Sequence, residues 1–424
     1  MKPLLRIPAS DVPALTRALE TALDGGPAVW PLPTAATPAP AAPAPAAPGP
    51  TIRSGGAFVP EQGPIGAEFG TNAPPEGNVT PVEVDDRIAL VVETSGSTDA
   101  PKRVALSADA LVASADATHD ALGGTGQWLL ALPGHYIAGA QVLVRGLVAS
   151  TPTLTVPGER FDPSAFAATS AQLLPHVPHY TSLVPTQLAR LLDAAERDPF
   201  IAAALTSFDA VLVGGQALAP AIAERAAAAG VRIVRTYGSS ETAGGCVYDG
   251  TPIGDTRLRF DDGRIELASS SLADGYLGDP ARTAEAFRSD RDGTRWYVTG
   301  DLGELAADGR LRVRGRADDV MVSGGVKVVL GEVERVVRAV AGFADAVVVA
   351  APDPEWGERA AVAIAGDAGD EASALQALRT ATDAAGLAPA ARPVRLVVVD
   401  RLPMLASGKP DRRAIAALAA ASAG

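Results

Sequence analysis

The residues of this 424-residue chain that could do chemistry gather in four glycine- or proline-punctuated segments. The first, "ETSGSTDAPK" at 93–102, sets Thr94, Ser95, Gly96, Ser97 and Thr98 between apolar runs and ends on Lys102. Backbone N–H groups exposed by Gly96, hydroxyls on either side and a compact ammonium are the parts of a phosphate cradle. GxxxxGK[ST] cannot be threaded through the segment, so it is not the usual P-loop, and Asp99 puts a carboxylate in its middle. The second, "RTYGSSETAGG" at 235–245, offers Tyr237 as a flat face for a base. It also offers Glu241 as an oxygen ligand for Mg²⁺ and Thr242 as a donor to a phosphoryl oxygen. In the third, "WYVTGDLGEL" at 296–305, Asp301 follows a Thr-Gly turn and is suited to accept from both ribose hydroxyls, with Arg316 in reach of the same sugar. The fourth, "LPMLASGKPDRRAI", puts Lys409 in a Gly-Lys-Pro loop near the chain end. Taken singly, each segment also reads as an ordinary polar turn.

Composition narrows the choice. Of 36 basic residues only Lys2, Lys102, Lys327 and Lys409 are lysines, and three of these fall in such loops. Arginine serves as the general surface cation, which leaves lysine where a point charge on a flexible stem is wanted. A net charge of −13 argues against a nucleic-acid surface and requires any anionic substrate to meet locally placed cations. The single cysteine, Cys246, excludes an intrachain disulfide and suits a reducing cytoplasm. No run of about 18 apolar residues predicts a membrane span. "MKPLLRIPAS" lacks the apolar core of a secretion signal, so a cytoplasmic location is expected.

The elements that must position these segments follow from local pattern. The Ala/Pro run 31–50 is too proline-rich for helix or sheet and is expected to be a flexible segment without chemistry. From about residue 85, "RIALVVE", "KRVALS", "QWLLALP", "YTSLV", "FDAVLV" and "VRIVRTYG" read as strands. Helices are expected from Ser107, over "AGAQVLVRGLVAS", after Asp162-Pro163, over "PTQLARLLDAAER" and over "APAIAERAAAAG", which Gly230 closes. Strand–loop–helix units at this interval predict mostly parallel sheets covered by helices, with ligands at the carboxyl ends of strands. "TRLRFDDGRIELAS" then reads as a hairpin turning at Asp262-Gly263. After "GRADDV" a smaller α+β unit follows, which gives an N-terminal domain over 1–316 and a C-terminal domain over 317–424.

The order and spacing of the four segments resemble the adenylate-forming superfamily of acyl-CoA synthetases, adenylation domains and luciferases, over about residues 87–415. The resemblance implies an α/β fold, a large N-terminal domain with a small mobile lid hinged near Asp318, and activation of a carboxylic acid by ATP. On that pattern Thr94–Thr98 and Lys102 take the ATP phosphates, with Gly215, Tyr237 and Gly238 completing the nucleotide site. Asp301 and Arg316 hold the ribose, Glu241 holds Mg²⁺, and Thr242 and Lys409 act on the reacting groups. The resemblance further implies that Gly324, Gly325 and Lys327 in "MVSGGVKV" receive the pantetheine and thiol of coenzyme A once the lid rotates. Asp99 departs from the family pattern, in which glycine usually stands there.

One stretch bears on the acid. "HYIAGAQVLVRGL", with the short N-terminal region, is similar to the o-succinylbenzoate–CoA ligases of menaquinone biosynthesis. Arg145 lies in an otherwise apolar helix, where it either snorkels outward or waits, buried, for a second carboxylate. The resemblance to enzymes acting on an aromatic dicarboxylate favours the second, with His135, Ser182, Val213, Gly214 and Ser239 lining the ring pocket. His176 and His179 in "LPHVPHY" read as loop or core residues rather than a metal pair. Other readings are a stand-alone enzyme that loads a carrier protein and a nucleotide-binding relative without catalysis. The expected partners are small molecules, with neither nucleic acid nor membrane among them; assembly as a homo-oligomer is left open.

Overall fold

The computed structural model describes residues 1–33, 83–94, 101–158, 160–367, 369–405 and 409–421. Ser95, Gly96, Ser97, Thr98 and Asp99 of the first segment, and the Ala/Pro run beyond residue 33, lie outside the described residues.

Four sheets are formed among the described residues. The parallel arrangement is realised in a seven-stranded sheet. Ile233–Ser239, Ala210–Val213, His179–Leu183, Gln127–Leu130 and Leu154–Thr155 run parallel there, and Gly244–Tyr248 and Thr251–Pro252 are added antiparallel. A six-stranded sheet is mixed. Its strand Lys102–Ser107 folds back antiparallel on Ile88–Thr94, because the short link between them cannot make the crossover of a dozen or more residues that a parallel pair needs. The third sheet is antiparallel around the long strand Arg295–Leu305, with Leu311–Arg316 at its side. Its hairpin turns at Asp262 (φ 46°) and Gly263 (φ 74°), the left-handed pair of a type I′ turn. The fourth sheet is built from strands between Val320 and Val399 and forms the smaller C-terminal domain of this mixed α/β fold. No helix among the described residues is long and apolar enough to cross a membrane.

Two helices decide where the site can be. Ala108–Leu122 starts on Ser107, whose hydroxyl accepts the Ala110 N–H at 3.2 Å, and ends on Gly123 at φ 97°. It packs on Ile137–Val148, and residues of both helices join strands of the first two sheets in one core cluster. Every residue from Gly139 to Gly146 is buried. A helical stretch covered on all sides is apolar all round, which explains Val142–Val144 and leaves Gln141 and Arg145 as the exceptions. With no solvent face available, Arg145 cannot snorkel.

Candidate active site

The strand Ile233–Ser239 delivers the second segment to its carboxyl end, where a single turn of 3₁₀ helix, Ser240–Thr242, reverses the chain. The backbones on either side of that turn touch. A Cβ on Gly238 would stand 2.0 Å from the Gly244 carbonyl oxygen, so only glycine fits. Thr242 is fully buried; its hydroxyl accepts the Ser239 N–H at 2.9 Å and donates to the Gly244 carbonyl at 2.7 Å. The expected phosphoryl donor is thus spent on closing the turn, because its side chain points into the core rather than the cleft.

Around Asp301, segments far apart in sequence meet. The Tyr237 hydroxyl donates to Asp301 Oδ2 at 2.9 Å, and Arg316 Nη1 lies 3.5 Å from Asp301 Oδ1. Arg316 also reaches Asp318 through Nε at 3.1 Å. Its guanidinium crosses Gly300, where a Cβ would come within 2.5 Å of Nη2, so the glycine of "TGD" exists to let the arginine through. Burial raises the Asp301 pKa above the ordinary carboxylate value, while Arg316, the Tyr237 bond and the charge of Lys409 pull it back. Asp318 is also subject to burial, but Arg316 and the charge of Lys102 bring it below the usual value. Burial, with the Asp301 charge beside it, pushes the Tyr237 hydroxyl far above the usual phenol range, so it stays a donor.

Lys102, at the described end of the first segment, comes to the same place. Its ammonium lies 5.4 Å from the centre of the Tyr276 ring, and the Tyr276 hydroxyl donates to Glu241 Oε1 at 2.9 Å. Glu241 is only 7% exposed. A buried carboxylate could hold Mg²⁺, which takes few protein oxygens and keeps phosphate and water for the rest. Tyr276 lies in "LADGYLGDP", which carries no sequence signal for this role. Lys409 is exposed, on a short loop closed by the Leu405 N–H donating to its carbonyl at 2.8 Å and by the Met404–Pro410 bridge.

Beside this cluster is a cavity of ≈ 120 Å³ lined by Arg145, Ser182, Gly214, Gly215, Gly238 and Ser239, all of them expected site residues. Arg145 is 3% exposed, and its Nε has no hydrogen-bond partner. Its guanidinium carbon stands 4.9 Å over the Trp128 ring, whose N–H donates to His119 at 3.3 Å. Among the described residues no carboxylate pairs with Arg145. Burial lowers its pKa, but a guanidinium keeps its charge at neutral pH. Gln141 and Ser239 line the same cavity, and the Gln141 Oε1 has no hydrogen-bond partner among the described residues. Gln141 is one helical turn before Arg145 and could have been found from that spacing; Tyr248, on another wall, could not.

Two expected lining residues fall elsewhere. Alternate residues of a strand face opposite ways, so Leu212 meets the cavity while Val213 packs into a separate core cluster with Leu188 and Phe208. His135 sits outside the cavity with its ring 4.1 Å from that of Tyr136, and burial lowers its pKa. His179 bonds the Leu174 carbonyl at 2.8 Å and stacks edge-on to Phe208, and His176 occupies a left-handed turn at φ 69°. Gly324 (φ 55°) and Gly325 (φ 81°) turn the hairpin between Val320–Ser323 and Val326–Val329. Gly324 donates to the Trp356 carbonyl at 2.9 Å, and a Cβ there would strike the indole at 2.6 Å, so this hairpin is tied to its own sheet. Lys327 is exposed on it.

Cys246 follows the turn and is buried, which pushes its thiol up to about 12. The thiolate is the reactive form. Iodoacetamide at about pH 8 should therefore leave Cys246 unmodified in the folded protein and alkylate it fully in guanidinium, as read by intact mass; rapid labelling of the folded chain would refute the burial.

Residues 19–309 match the family described as AMP-binding enzyme, and residues 332–409 match the AMP-binding enzyme C-terminal domain. A Mycobacterium tuberculosis protein named "Probable 2-succinylbenzoate--CoA ligase" is 42% identical over 342 residues, which cover 78% of this chain and 85% of that one. The 2-succinylbenzoate–CoA ligase of Enterococcus faecalis is 29% identical over 349 residues, 76% of this chain and 68% of that one. Among solved structures, the o-succinylbenzoate CoA synthetase of Bacillus subtilis in complex with the acyl-adenylate intermediate OSB-AMP superimposes with a TM-score of 0.67 at 26% identity. The match covers 77% of this chain and 69% of that one.

Proposed function

The chain belongs to the AMP-binding enzyme family, and from that premise we propose that it is an AMP-forming ligase joining 2-succinylbenzoate to coenzyme A. The observation that carries the substrate choice is the buried, carboxylate-free Arg145 on the wall of the acyl cavity. An unpaired buried cation is costly in the empty protein, and a dicarboxylic acid would supply the missing partner. One carboxylate then faces the nucleotide while the other meets Arg145, with Ser182 and Ser239 along the aromatic ring.

In the first step a carboxylate oxygen bonds to the α-phosphorus of ATP and the bond to pyrophosphate breaks. Two anions must approach, so cations where charge accumulates lower the barrier. Lys102, with the Thr94–Thr98 segment, is assigned to the phosphates, Asp301 and Arg316 to the ribose, and Tyr237 to the base side. Glu241 would hold Mg²⁺, which when bound would supply positive charge for the pyrophosphate. Lys409 is assigned to the carboxylate and α-phosphate. In the second step the thiol of coenzyme A attacks the acyl carbon and AMP leaves, with Gly324, Gly325 and Lys327 receiving the pantetheine arm. The division into 1–316 and 317–424 puts the hinge at Asp318, and rotation there would break its contact with Arg316. The setting we assign is menaquinone biosynthesis in the cytoplasm.

Pyrophosphate release across a panel of aromatic, fatty and dicarboxylic acids, with and without coenzyme A, tests this reading. The expected result is highest kcat/KM for 2-succinylbenzoate and thioester formation only when coenzyme A is present. Preference for a monoacid would overturn the substrate assignment.

A further inference from the structure

A second, larger cavity, ≈ 610 Å³ and open at the surface, is lined by Ala117 and Ala121 of the helix Ala108–Leu122 and by Val234 and Ile253 of the sheet side. Tyr248 lines both this groove and the acyl cavity. Its backbone is paired with Thr236 on one side and Thr251 on the other. The ring lies against Gly245, where a Cβ would come within 2.9 Å of Cε1. At its far end the hydroxyl is 2.9 Å from Thr118 Oγ1. Thr118 donates its single proton to the Ser114 carbonyl at 2.8 Å, so Tyr248 must be the donor to Thr118. The side chain thus spans from strand to helix, anchored at both ends and only 6% exposed.

We infer that Tyr248 is a specificity-determining residue, a fixed partition that ends the acyl cavity and limits how long an acid's distal arm can be. The inference rests on the ligase reading above and deepens it. Behind the partition the groove is lined by Ala117, Ala121, Val234 and Ile253 together with Asp120, Arg232 and Asp249. It would take the extra methylenes of a longer aryl-keto acid if the ring were absent. The cavity in front has no such room, at ≈ 120 Å³. A rigid wall rejects each added methylene by roughly 10-fold or more, and this wall is held by two hydrogen-bonded elements rather than by a mobile loop.

The test compares kcat/KM for 2-succinylbenzoate, 2-glutarylbenzoate and 2-adipoylbenzoate in the wild type, Tyr248→Phe, Tyr248→Leu and Tyr248→Ala. Wild type and Tyr248→Phe should both fall by roughly 10-fold or more per added methylene, since the ring remains. Tyr248→Ala should level the series to within about threefold, and Tyr248→Leu should fall between. Melting curves identify a variant that fails to fold, and the wild-type and Tyr248→Phe series then carry the decision. A wild type that accepts the longer acids as well as the short one overturns the partition, as does an unchanged length profile in folded Tyr248→Ala or Tyr248→Leu. Absence of any turnover of 2-succinylbenzoate by the wild type would instead overturn the ligase reading on which the partition rests.

Discussion

Replacing Lys409 by alanine is expected to slow acyl-adenylate formation by about 10²–10³-fold, the scale for losing one group that stabilises developing charge in a water-poor site. The acid carboxylate and the triphosphate repel each other throughout their approach, and the ammonium is the cation proposed to sit between them. Burial raises the Asp301 pKa, and Arg316, the Tyr237 bond and, as the smallest of these influences, the Lys409 charge lower it. Thioester formation from preformed acyl-adenylate should be largely retained, because the second step does not bring those two anions together. Single-turnover measurement of the two half-reactions separates the outcomes. Equal loss in both would sink the assigned role.

Arg145→Met should have the second largest effect, and an unusual sign pattern. Breaking a buried charge pair typically costs about 2–5 kcal/mol in binding, or roughly 30-fold to over 1,000-fold in kcat/KM. That loss should be confined to 2-succinylbenzoate; benzoate-like monoacids, which leave the guanidinium unpaired, should lose little or gain. Stability of the substrate-free enzyme should move the other way. Arg145 is buried over Trp128 with no carboxylate partner among the described residues. An apolar side chain of similar size removes that desolvation cost, so the melting temperature should stay level or rise. Calorimetry together with the acid panel checks both. A large fall in stability with uniform loss across all acids would mean that Arg145 is simply structural.

Much of this was legible locally. Ser107 caps its helix, Asp162-Pro163 opens another, and Asp262-Gly263 turns the hairpin, because capping and turn chemistry act over a few residues. The reading of the first segment as a phosphate cradle is of the same local kind, since Gly, Ser, Thr and Lys in a short loop expose donors whatever surrounds them. Other features were not. Nothing near Thr242 says that its hydroxyl turns inward to Gly244, and nothing in "DGYLGD" points Tyr276 at Glu241. Val213 was expected in the ring pocket, but its neighbour Leu212 faces that way, and strand register alone decides which.

By itself the sequence determined the succession of strands and helices, the order of the four segments and hence the family, since these depend on residue type and near-neighbour spacing. Only tertiary structure decided which side chains share a cavity and which are denied water. Arg145 is the clearest instance. Its helix is apolar with one charge, a pattern equally compatible with a surface or an interior position. Burial between two sheets formed by residues far away in the chain left that charge without a carboxylate partner among the described residues, on the wall of a cavity. Desolvation depends on everything packed around a group, and no stretch of sequence contains its own surroundings.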